Sequence, residues 1–236
     1  MAKIYTENSI QGAVYDTLKR GIMTLQLVPG SVMSTQEMAT RLNVSRTPVR
    51  EAFIRLEREG LVVAAGQRGT MVSKIDLKRV EEERFIRESL ELAVVEPFLK
   101  SCDAAHFTAM RNNIVQQKDC CREKRFADFV DCDNQWHKLL FDAAGQSLAW
   151  DTIMNVNSHY NRIRVLTVQN TETIIGVIRQ HEKIIKLMER AEKDSVRAEI
   201  ANHVMKINFE KTDLIRQHPD YFSTGSETAG IRIGTL

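Results

Sequence analysis

The chain lacks any apolar run that could cross a membrane. A membrane-spanning helix needs about 20 consecutive, mostly apolar residues, and no such run occurs among these 236 positions. The N-terminus also lacks the charged segment and apolar core of a signal peptide. The sequence therefore predicts a cytoplasmic protein with no membrane partner.

Cysteine is scarce, and its spacing does not suit a metal site. Only four cysteines are present, and no two of them form a C-x-x-C pair. Adjacent Cys120 and Cys121 are badly placed to share one tetrahedral site with Cys102 and Cys132. The favoured interpretation is four reduced, partly buried thiols.

The net charge is only +2, but the charged residues are unevenly distributed along the chain. Residues 1–75 contain ten Lys and Arg against six Asp and Glu, whereas residues 76–236 contain 23 against 25. A local basic excess of this size suits a small DNA-binding module. The length is comfortable for two domains that each bury a core.

The basic N-terminal part has the pattern of three helices and a hairpin. Apolar residues recur every four positions from Ile10 to Ile22, which predicts a helix that ends before Pro29. Ser34, three residues before Glu37, predicts the start of a short second helix. A third helix is predicted over about residues 45–59, and two short strands flank the glycine-bracketed turn at 66–69. This order predicts a winged helix-turn-helix.

The start of the third helix carries the chemistry of DNA recognition. Ser45 and Thr47 are predicted to cap the helix, and Pro48 fits a first turn, where its missing N–H costs nothing. Arg46 and Arg50 place two guanidinium groups at the helix tip, where they could pair with guanine edges or phosphates. The alternative is an ordinary capped helix with solvated arginines.

Residues 8–74 resemble the head of a GntR-family repressor. The resemblance rests on Pro29-Gly30, the run from Ser45 to Ala52, the segment Leu56-x-x-Glu59-Gly60-Leu61 and the wing glycine Gly69. It implies that the third helix enters the major groove and the wing tip the minor groove of double-stranded operator DNA. The implied contact residues are Ser45, Arg46, Thr47 and Arg50 on the helix and Gly66, Gln67 and Arg68 at the wing tip.

The rest of the chain has a helical pattern, with no proline between Pro97 and Pro219. Helices are predicted near residues 77–100, 103–121, 123–143, 147–168, 171–191 and 195–216. Because short turns force neighbouring helices to run antiparallel, these segments predict an all-α antiparallel bundle. The predicted fold class is therefore mainly α.

Three histidines and one aspartate in this bundle could bind a metal ion. Asp133 and His137 are four residues apart, so both project from one helical face. His181 and His203 lie equally far from the turn near residue 192, so they can face each other across a helical hairpin. Such a set suits a divalent ion such as Zn²⁺, Ni²⁺ or Mn²⁺, while the alternative for each histidine alone is an ordinary core or surface residue.

Residues 77–213 resemble the FCD effector domain of the FadR branch of that family. The resemblance rests on Asp133-Asn134-Gln135-Trp136-His137, on His181 and His203, and on Arg87-x-x-x-Glu91. It implies a metal at the floor of a cavity that senses small carboxylic acids. An arginine is then expected to pair with the effector carboxylate, and the candidates are Arg87, Arg162 and Arg164.

Together these features predict a ligand-responsive transcriptional repressor with residues 1–75 as the DNA-binding domain, 76–216 as the effector domain and 217–236 as a C-terminal tail. A homodimer is expected, because one recognition helix reads only a few base pairs. A purely structural metal is the main alternative, followed by a metal-dependent enzyme and an architectural DNA-binding protein. Catalysis is not expected, because no H-E-x-x-H or comparable signature is present.

Overall fold

A computed structural model describes residues 7–205 and 207–223 of the chain, with side chains described for 10–205 and 212–223. The chain divides into two compact units. Residues 1–77 and 215–236 belong to the first, which we call the head unit, and residues 78–214 form the second, which we call the helical unit. Residues 224–236 of the predicted tail lie outside the described part.

The head unit contains three helices and a small sheet. In chain order its elements are α1 (Glu7–Met23), β1 (Val32–Met33), α2 (Thr35–Leu42), α3 (Arg46–Arg58), β2 (Val62–Ala64) and β3 (Thr70–Val72). The sheet is antiparallel with the order β1-β3-β2, so the predicted hairpin is joined by a third, very short strand. A 3₁₀ turn, Gly66–Arg68, forms the tip of the wing.

An apolar core holds the head unit together. Leu18 and Ile22 of α1 pack with Val49 and Leu56 of α3 in a single buried cluster. Gly69 is required where the wing meets β1: its φ is 114°, and a Cβ there would lie 2.6 Å from the carbonyl oxygen of Met33. The winged helix-turn-helix fold is thereby confirmed.

The caps of the head helices differ in part from the prediction. Ser34 accepts a hydrogen bond from the backbone N–H of Glu37 at 3.0 Å, as a helix cap should. Ser45 occupies the cap position of α3, but its side chain makes no capping hydrogen bond, so the predicted capping role of that hydroxyl is wrong. The Ser45 hydroxyl therefore remains exposed at the end of the helix.

A C-terminal segment completes the head unit. The backbone N–H of Ile75 donates to the carbonyl oxygen of Tyr221 at 2.7 Å, and that of Ser223 donates to Ile75 at 3.0 Å. Phe222 lies between these bonds and is buried. Residues more than 140 positions apart in the sequence thus belong to one unit.

The helical unit is built from helices alone within the described residues. They are α4 (Leu77–Ser101), α5 (Ala104–Arg122), α6 (Phe126–Ala143), α7 (Ser147–Val156), α8 (Ser158–Thr167), α9 (Thr171–Glu189), α10 (Lys193–Met205) and α11 (Ile207–Gln217), of which the last continues into the head unit. The all-helical prediction is confirmed. None of the described helices has the length and apolar character of a membrane span.

Ion pairs show how neighbouring helices run. Arg111 of α5 contacts Glu189 of α9, and Lys118 contacts Glu182, so α5 and α9 are antiparallel. Lys183 of α9 likewise bonds Glu199 of α10 at 2.5 Å across a hairpin. These antiparallel pairs bring side chains from distant parts of the sequence to the same depth of the bundle.

One predicted helix is interrupted. The segment 147–168 forms two helices that meet at Asn157, rather than one continuous helix. The Glu83 carboxylate accepts hydrogen bonds at 2.8 Å from the backbone N–H groups of both His159 and Tyr160. A helix cap supplied by α4 therefore marks the start of α8.

Candidate metal centre and DNA-binding surface

Four potential metal ligands meet in the core of the helical unit. Asp133 and His137 lie on α6, His181 on α9 and His203 on α10, and one ligand atom from each lies within 4.8 Å of all the others. The Nε2 atoms of His137 and His203 are 3.0 Å apart. Asp133 Oδ1 is 3.6 Å from His181 Nε2, and Oδ2 is 3.7 Å from His137 Nε2.

These separations are compatible with one shared ion. Two ligand atoms bonded at ~2.0–2.2 Å to one ion, at an angle of about 90–110°, lie roughly 2.8–3.6 Å apart. Three pairs of ligand atoms, at 3.0–3.7 Å, lie in or just above this range, and all four ligand atoms lie within 4.8 Å of one another. The four side chains therefore need only small adjustments to converge on a single centre.

Each histidine directs its other ring nitrogen toward an oxygen atom. His181 Nδ1 lies 3.0 Å from Gln117 Oε1, and His203 Nδ1 lies 3.2 Å from Gln180 Oε1. His137 Nδ1 is 2.8 Å from Glu91 Oε2, within ion-pair distance although outside hydrogen-bond alignment. Oxygen acceptors at all three Nδ1 atoms favour a proton there, which leaves the Nε2 lone pairs directed at the centre.

The inward nitrogens are poorly satisfied by the protein alone. His181 Nε2 is buried and has no hydrogen-bond partner among the described atoms. With protons on Nδ1, the Nε2 lone pairs of His137 and His203 would face each other at 3.0 Å, which is repulsive unless a cation lies between them. The donor set, three imidazoles and one carboxylate, therefore fits a borderline divalent ion.

Burial and neighbouring charges set the protonation states of these ligands. Burial lowers the pKa of His181 well below its ordinary value, and His203 lowers it further. Burial, with His137, lowers the pKa of His203 to about 3. Burial alone would raise the pKa of Asp133, but Arg164 and the histidines outweigh it, so the net shift is downward. Neutral imidazoles and an ionised carboxylate are the forms that bind metal.

A buried polar chain connects two of the ligands. Gln117 on α5 accepts a hydrogen bond from His181 through Oε1 and donates one through Nε2 to Asn113 Oδ1 at 2.8 Å. Asn113 Nδ2 in turn donates to the backbone carbonyl of Cys132 at 3.0 Å. Cys132 immediately precedes Asp133, so α5 fixes the relative positions of ligands on α6 and α9.

Two arginines lie beside the metal ligands. Arg164 on α8 contacts Asp133 through Nη2 and donates through Nη1 to Asn134 Oδ1 at 2.6 Å. Arg87 on α4 donates to Glu91 Oε1 at 2.6 Å. Burial would raise the pKa of Glu91, but His137 and Arg87 outweigh this effect and lower it to about 2. Both arginines thus have ionised partners.

These arginines also line a small cavity. Its walls are formed by Arg87, Phe129, Val130, Asp133, Tyr160, Arg164, Thr167, Val168, Thr173, Val177, His203 and Val204. About 40 Å³ is open to the centres of water-sized molecules, and one water needs on the order of 10–15 Å³ by this measure. The cavity thus has room for roughly three waters or a ligand of a few heavy atoms.

The third predicted ligand-binding arginine is placed differently. Arg162 is fully buried on α8, but it does not line this cavity. It donates to the carbonyl oxygen of Ser158 at 3.1 Å and lies 3.2 Å from His159 Nδ1. The structure therefore separates Arg162 from Arg87 and Arg164.

The predicted DNA-binding side chains lie on the surface of the head unit. Ser45, Arg46, Thr47 and Arg50 are exposed at the N-terminal end of α3, while Pro48 and Val49 between them are buried. Gly66, Gln67 and Arg68 are exposed at the wing tip. The helix thus turns its basic side to solvent and its apolar side to the core.

Comparison with known proteins assigns both units. Residues 10–72 match the model for bacterial regulatory proteins of the gntR family, and residues 84–206 match the FCD domain. The HTH-type transcriptional repressor RspR of Escherichia coli (strain K12) is 32% identical over 210 residues, covering 89% of this chain and 92% of RspR. The chain belongs to the GntR family. It is a DNA-binding transcriptional regulator with an FCD domain.

Further relatives agree with this assignment. An HTH-type transcriptional regulator in an unstable DNA locus of Streptomyces ambofaciens is 31% identical over 222 residues, covering 93% of this chain and 92% of that protein. The structure of E. coli McbR/YncC has a TM-score of 0.74 at 17% identity, and the match covers 89% of this chain and 99% of McbR. This second likeness concerns the fold alone.

Several polar residues of the FCD domain were missed by the sequence prediction. Asn113 and Gln117 lie on the buried face of α5, three and seven residues after Met110. Polar residues within such an apolar stripe are a detectable signal, because buried polar groups need partners. Tyr160, which lies about 6 Å from the guanidinium carbons of Arg87 and Arg164, has no comparable signal in the sequence.

Proposed function

We propose that this GntR-family regulator is a cytoplasmic homodimeric repressor that responds to a small carboxylic acid through a metal-containing FCD domain. Asp133, His137, His181 and His203 would hold a divalent ion such as Zn²⁺, Ni²⁺ or Mn²⁺. The observation that carries the proposal is the convergence of three Nε2 atoms and a carboxylate beside a cavity that Asp133 and His203 line; the Nε2 of His181 has no hydrogen-bond partner among the described atoms.

The charges around the cavity support an anionic effector. Arg87 is balanced by Glu91, and Arg164 by Asp133, while the buried histidines with lowered pKa are neutral. With all three ligand imidazoles neutral, as metal binding requires, a divalent ion added to this set leaves a local excess of two positive charges in a medium of low dielectric. An anion that enters the cavity would offset that excess.

The arginines determine which kind of anion suits the cavity. Guanidinium groups bind carboxylates in a bidentate manner, and both Arg87 and Arg164 line the wall. The remaining wall is largely apolar, with Phe129 and four valines among its residues. We therefore propose a short carboxylic acid with a small apolar part.

The head unit would bind the operator. Arg46 and Arg50 are proposed to read base edges or hold phosphates, with Ser45 and Thr47 on phosphates and residues 66–68 in the minor groove. A homodimer would place two such helices on a palindromic site. The repressor role is supported by the name of the relative RspR.

The metal is tested first, by elemental analysis of protein purified without added metal and dialysed. We expect one divalent ion per chain in the parent protein and a lower content in His181→Ala. His106→Ala is a matched control, because His106 is a partly exposed helix cap on α5. Unchanged metal content in His181→Ala would remove that residue from the proposed site, and a metal-free parent protein would overturn the metal assignment.

Effector response is tested on operator DNA, selected from a random-sequence library by the purified protein. Short mono- and dicarboxylic acids are then titrated into the protein–DNA complex. Weakened binding with one acid, and no response to it in Arg164→Met, would support sensing. A bound metal combined with DNA affinity that no acid changes would instead indicate an ion that only stabilises the bundle.

A further inference from the structure

Two cysteines of the helical unit face each other. Cys120 on α5 and Cys132 on α6 have Sγ atoms 3.9 Å apart. A disulfide bond has an S–S distance of about 2.05 Å, so the sulfurs must approach by about 2 Å to bond. Cys120 is buried and Cys132 is partly exposed, so small reagents can reach the pair from the Cys132 side.

This pair lies next to the candidate metal centre. Cys132 directly precedes Asp133, and its backbone carbonyl is the acceptor at the end of the polar chain from His181. Movement of α6 against α5 at Cys132 would therefore alter both the position of Asp133 and the support of His181. The two thiols lie where a small local displacement reaches two of the four ligands.

We propose that Cys120 and Cys132 form a reversible disulfide, and that this bond weakens metal binding at Asp133 and His181. The disulfide depends only on the two thiols. Its effect on the metal rests on the function proposed above.

The oxidation is a two-electron step with a peroxide as the oxidant. Cys132 loses its proton and its thiolate sulfur attacks one oxygen of hydrogen peroxide; the O–O bond breaks, Cys132 S–OH forms, and the released hydroxide takes up the proton as one water. Cys120 then attacks that sulfur, the S–S bond forms, and the second water leaves with the Cys120 proton. Two thiols are oxidised, one peroxide is reduced, and a dithiol reductant reverses the reaction.

Reaction at this pair is expected to be slower than at an exposed cysteine. Cys120 is buried and Cys132 is only partly exposed, so peroxide reaches these two sulfurs less readily than a sulfur on the surface. The disulfide is therefore expected to form when the protein is exposed to peroxide for a long time, rather than briefly.

The disulfide is tested by mass spectrometry on full-length protein treated with hydrogen peroxide. After alkylation of remaining thiols, trypsin digestion should give residues 119–122 joined to residues 126–138. Because residues 119–122 contain both Cys120 and Cys121, the assignment uses variants: the cross-link should persist in Cys121→Ser and disappear in Cys120→Ser. Two results would overturn the proposal. One is a cross-link between these peptides in Cys120→Ser, and the other is a parent protein in which Cys102 has been oxidised but no cross-link has formed.

The effect on the metal is measured by competition with a zinc chelator, before and after oxidation. We expect the oxidised parent to bind zinc at least about ten-fold more weakly, because loss of the groups that orient metal ligands weakens binding by this much. Reduction should restore the affinity. Peroxide treatment of Cys120→Ser should leave its zinc affinity unchanged. Equal zinc affinity of cross-linked and reduced protein would refute the coupling. A reduced protein that binds none of Zn²⁺, Ni²⁺ and Mn²⁺ would contradict the proposed function but leave the disulfide standing.

Discussion

The head unit has its polar and charged side chains mostly on the surface, whereas the helical unit buries many of them. Of the 17 buried polar or charged residues among those described, 16 lie in the helical unit and only Ser73 lies in the head. The head has an apolar core, and its predicted DNA-binding side chains are exposed. The helical unit encloses arginines, carboxylates and histidines in its interior.

This difference indicates what each unit is built to bind. Burying a charge is unfavourable unless it is paired and hydrogen-bonded, so the interior charges of the helical unit are a thermodynamic cost. DNA is too large to enter a core and meets a surface, whereas a small ligand or an ion gains most where water is excluded. The exposed charges of the head unit therefore suit DNA, and the buried charges of the helical unit suit the small ligand and the ion proposed above.

The largest expected effect is on DNA binding. Arg50→Ala removes an exposed guanidinium at the tip of α3. A bidentate base contact contributes about 1–3 kcal/mol, so a homodimer should lose about 2–6 kcal/mol of operator binding, measured by mobility shift. Arg58→Ala, at the other end of the same helix, is the control for loss of charge. Operator binding by Arg50→Ala equal to that of the parent would refute the assigned recognition helix.

The second prediction compares ion pairs in the two units. Glu91→Ala leaves the buried Arg87 without its partner at 2.6 Å, which should reduce the free energy of unfolding by about 3–5 kcal/mol. Lys19→Ala in the head breaks a 2.7 Å pair with the partly exposed Glu59 and should cost less than about 1 kcal/mol.

Urea titrations distinguish the two units. Both tryptophans, Trp136 and Trp150, lie in the helical unit, so their fluorescence follows Glu91→Ala, while circular dichroism follows Lys19→Ala. Similar losses in the two variants would contradict the contrast between an apolar and a charged core.

A smaller effect is expected from Gln117→Ala. Gln117 does not reach the metal centre itself but contacts Nδ1 of His181. Loss of a group that orients a ligand histidine typically weakens metal binding about 10- to 100-fold. Zinc competition would measure this loss, with Gln169→Ala as the control, because the Gln169 side chain donates to the backbone carbonyl of Val165 on α8. An unchanged zinc affinity would show that Gln117 does not support the site.

The smallest expected effect is a pH dependence. Burial raises the pKa of Glu83 from 4.5 to about 7, although the N–H groups of Tyr160 and His159 oppose the shift. Because the folded-state pKa is the higher one, the native protein binds more protons than the unfolded chain between about pH 4.5 and 7. The stabilisation by the protonated carboxyl is therefore present at low pH and is lost as the pH rises through 7.

Glu83→Gln removes this titration. Between pH 5 and 8 the stability of the parent should fall by about 1–3 kcal/mol relative to Glu83→Gln, given at most about 1.4 kcal/mol per pH unit. Urea titrations followed by tryptophan fluorescence at several pH values measure the difference. A constant difference would show that Glu83 has the same pKa in the folded and unfolded chains.

Local patterns were sufficient for most of the fold. The four-residue spacing from Ile10 to Ile22 and the Ser34 cap predicted helices that the structure contains. The break at Asn157 was missed because its cause is distant: Glu83 on α4 caps α8 from more than 70 positions away. The strand Val32–Met33 was missed because two residues carry no detectable period.

The candidate site was only partly accessible from the sequence. Spacing on one helix and symmetry about one turn brought Asp133, His137, His181 and His203 into a single hypothesis. That Gln117 and Gln180 contact these histidines could not be predicted, because the contacts depend on how α5 and α9 pack, and no local pattern encodes that packing. The separation of Arg162 from Arg164 likewise depends on which side of α8 faces the cavity.

The pairing of Ile75 with residues 221–223 has a practical consequence. The helical unit is an insertion between two parts of the head unit, so a single cut in the chain cannot release the whole head unit. A fragment that stops at residue 77 would leave out Phe222, which is 4% exposed in the intact chain. A fragment that keeps these contacts must therefore include residues 215–223 as well as the N-terminal part of the head unit.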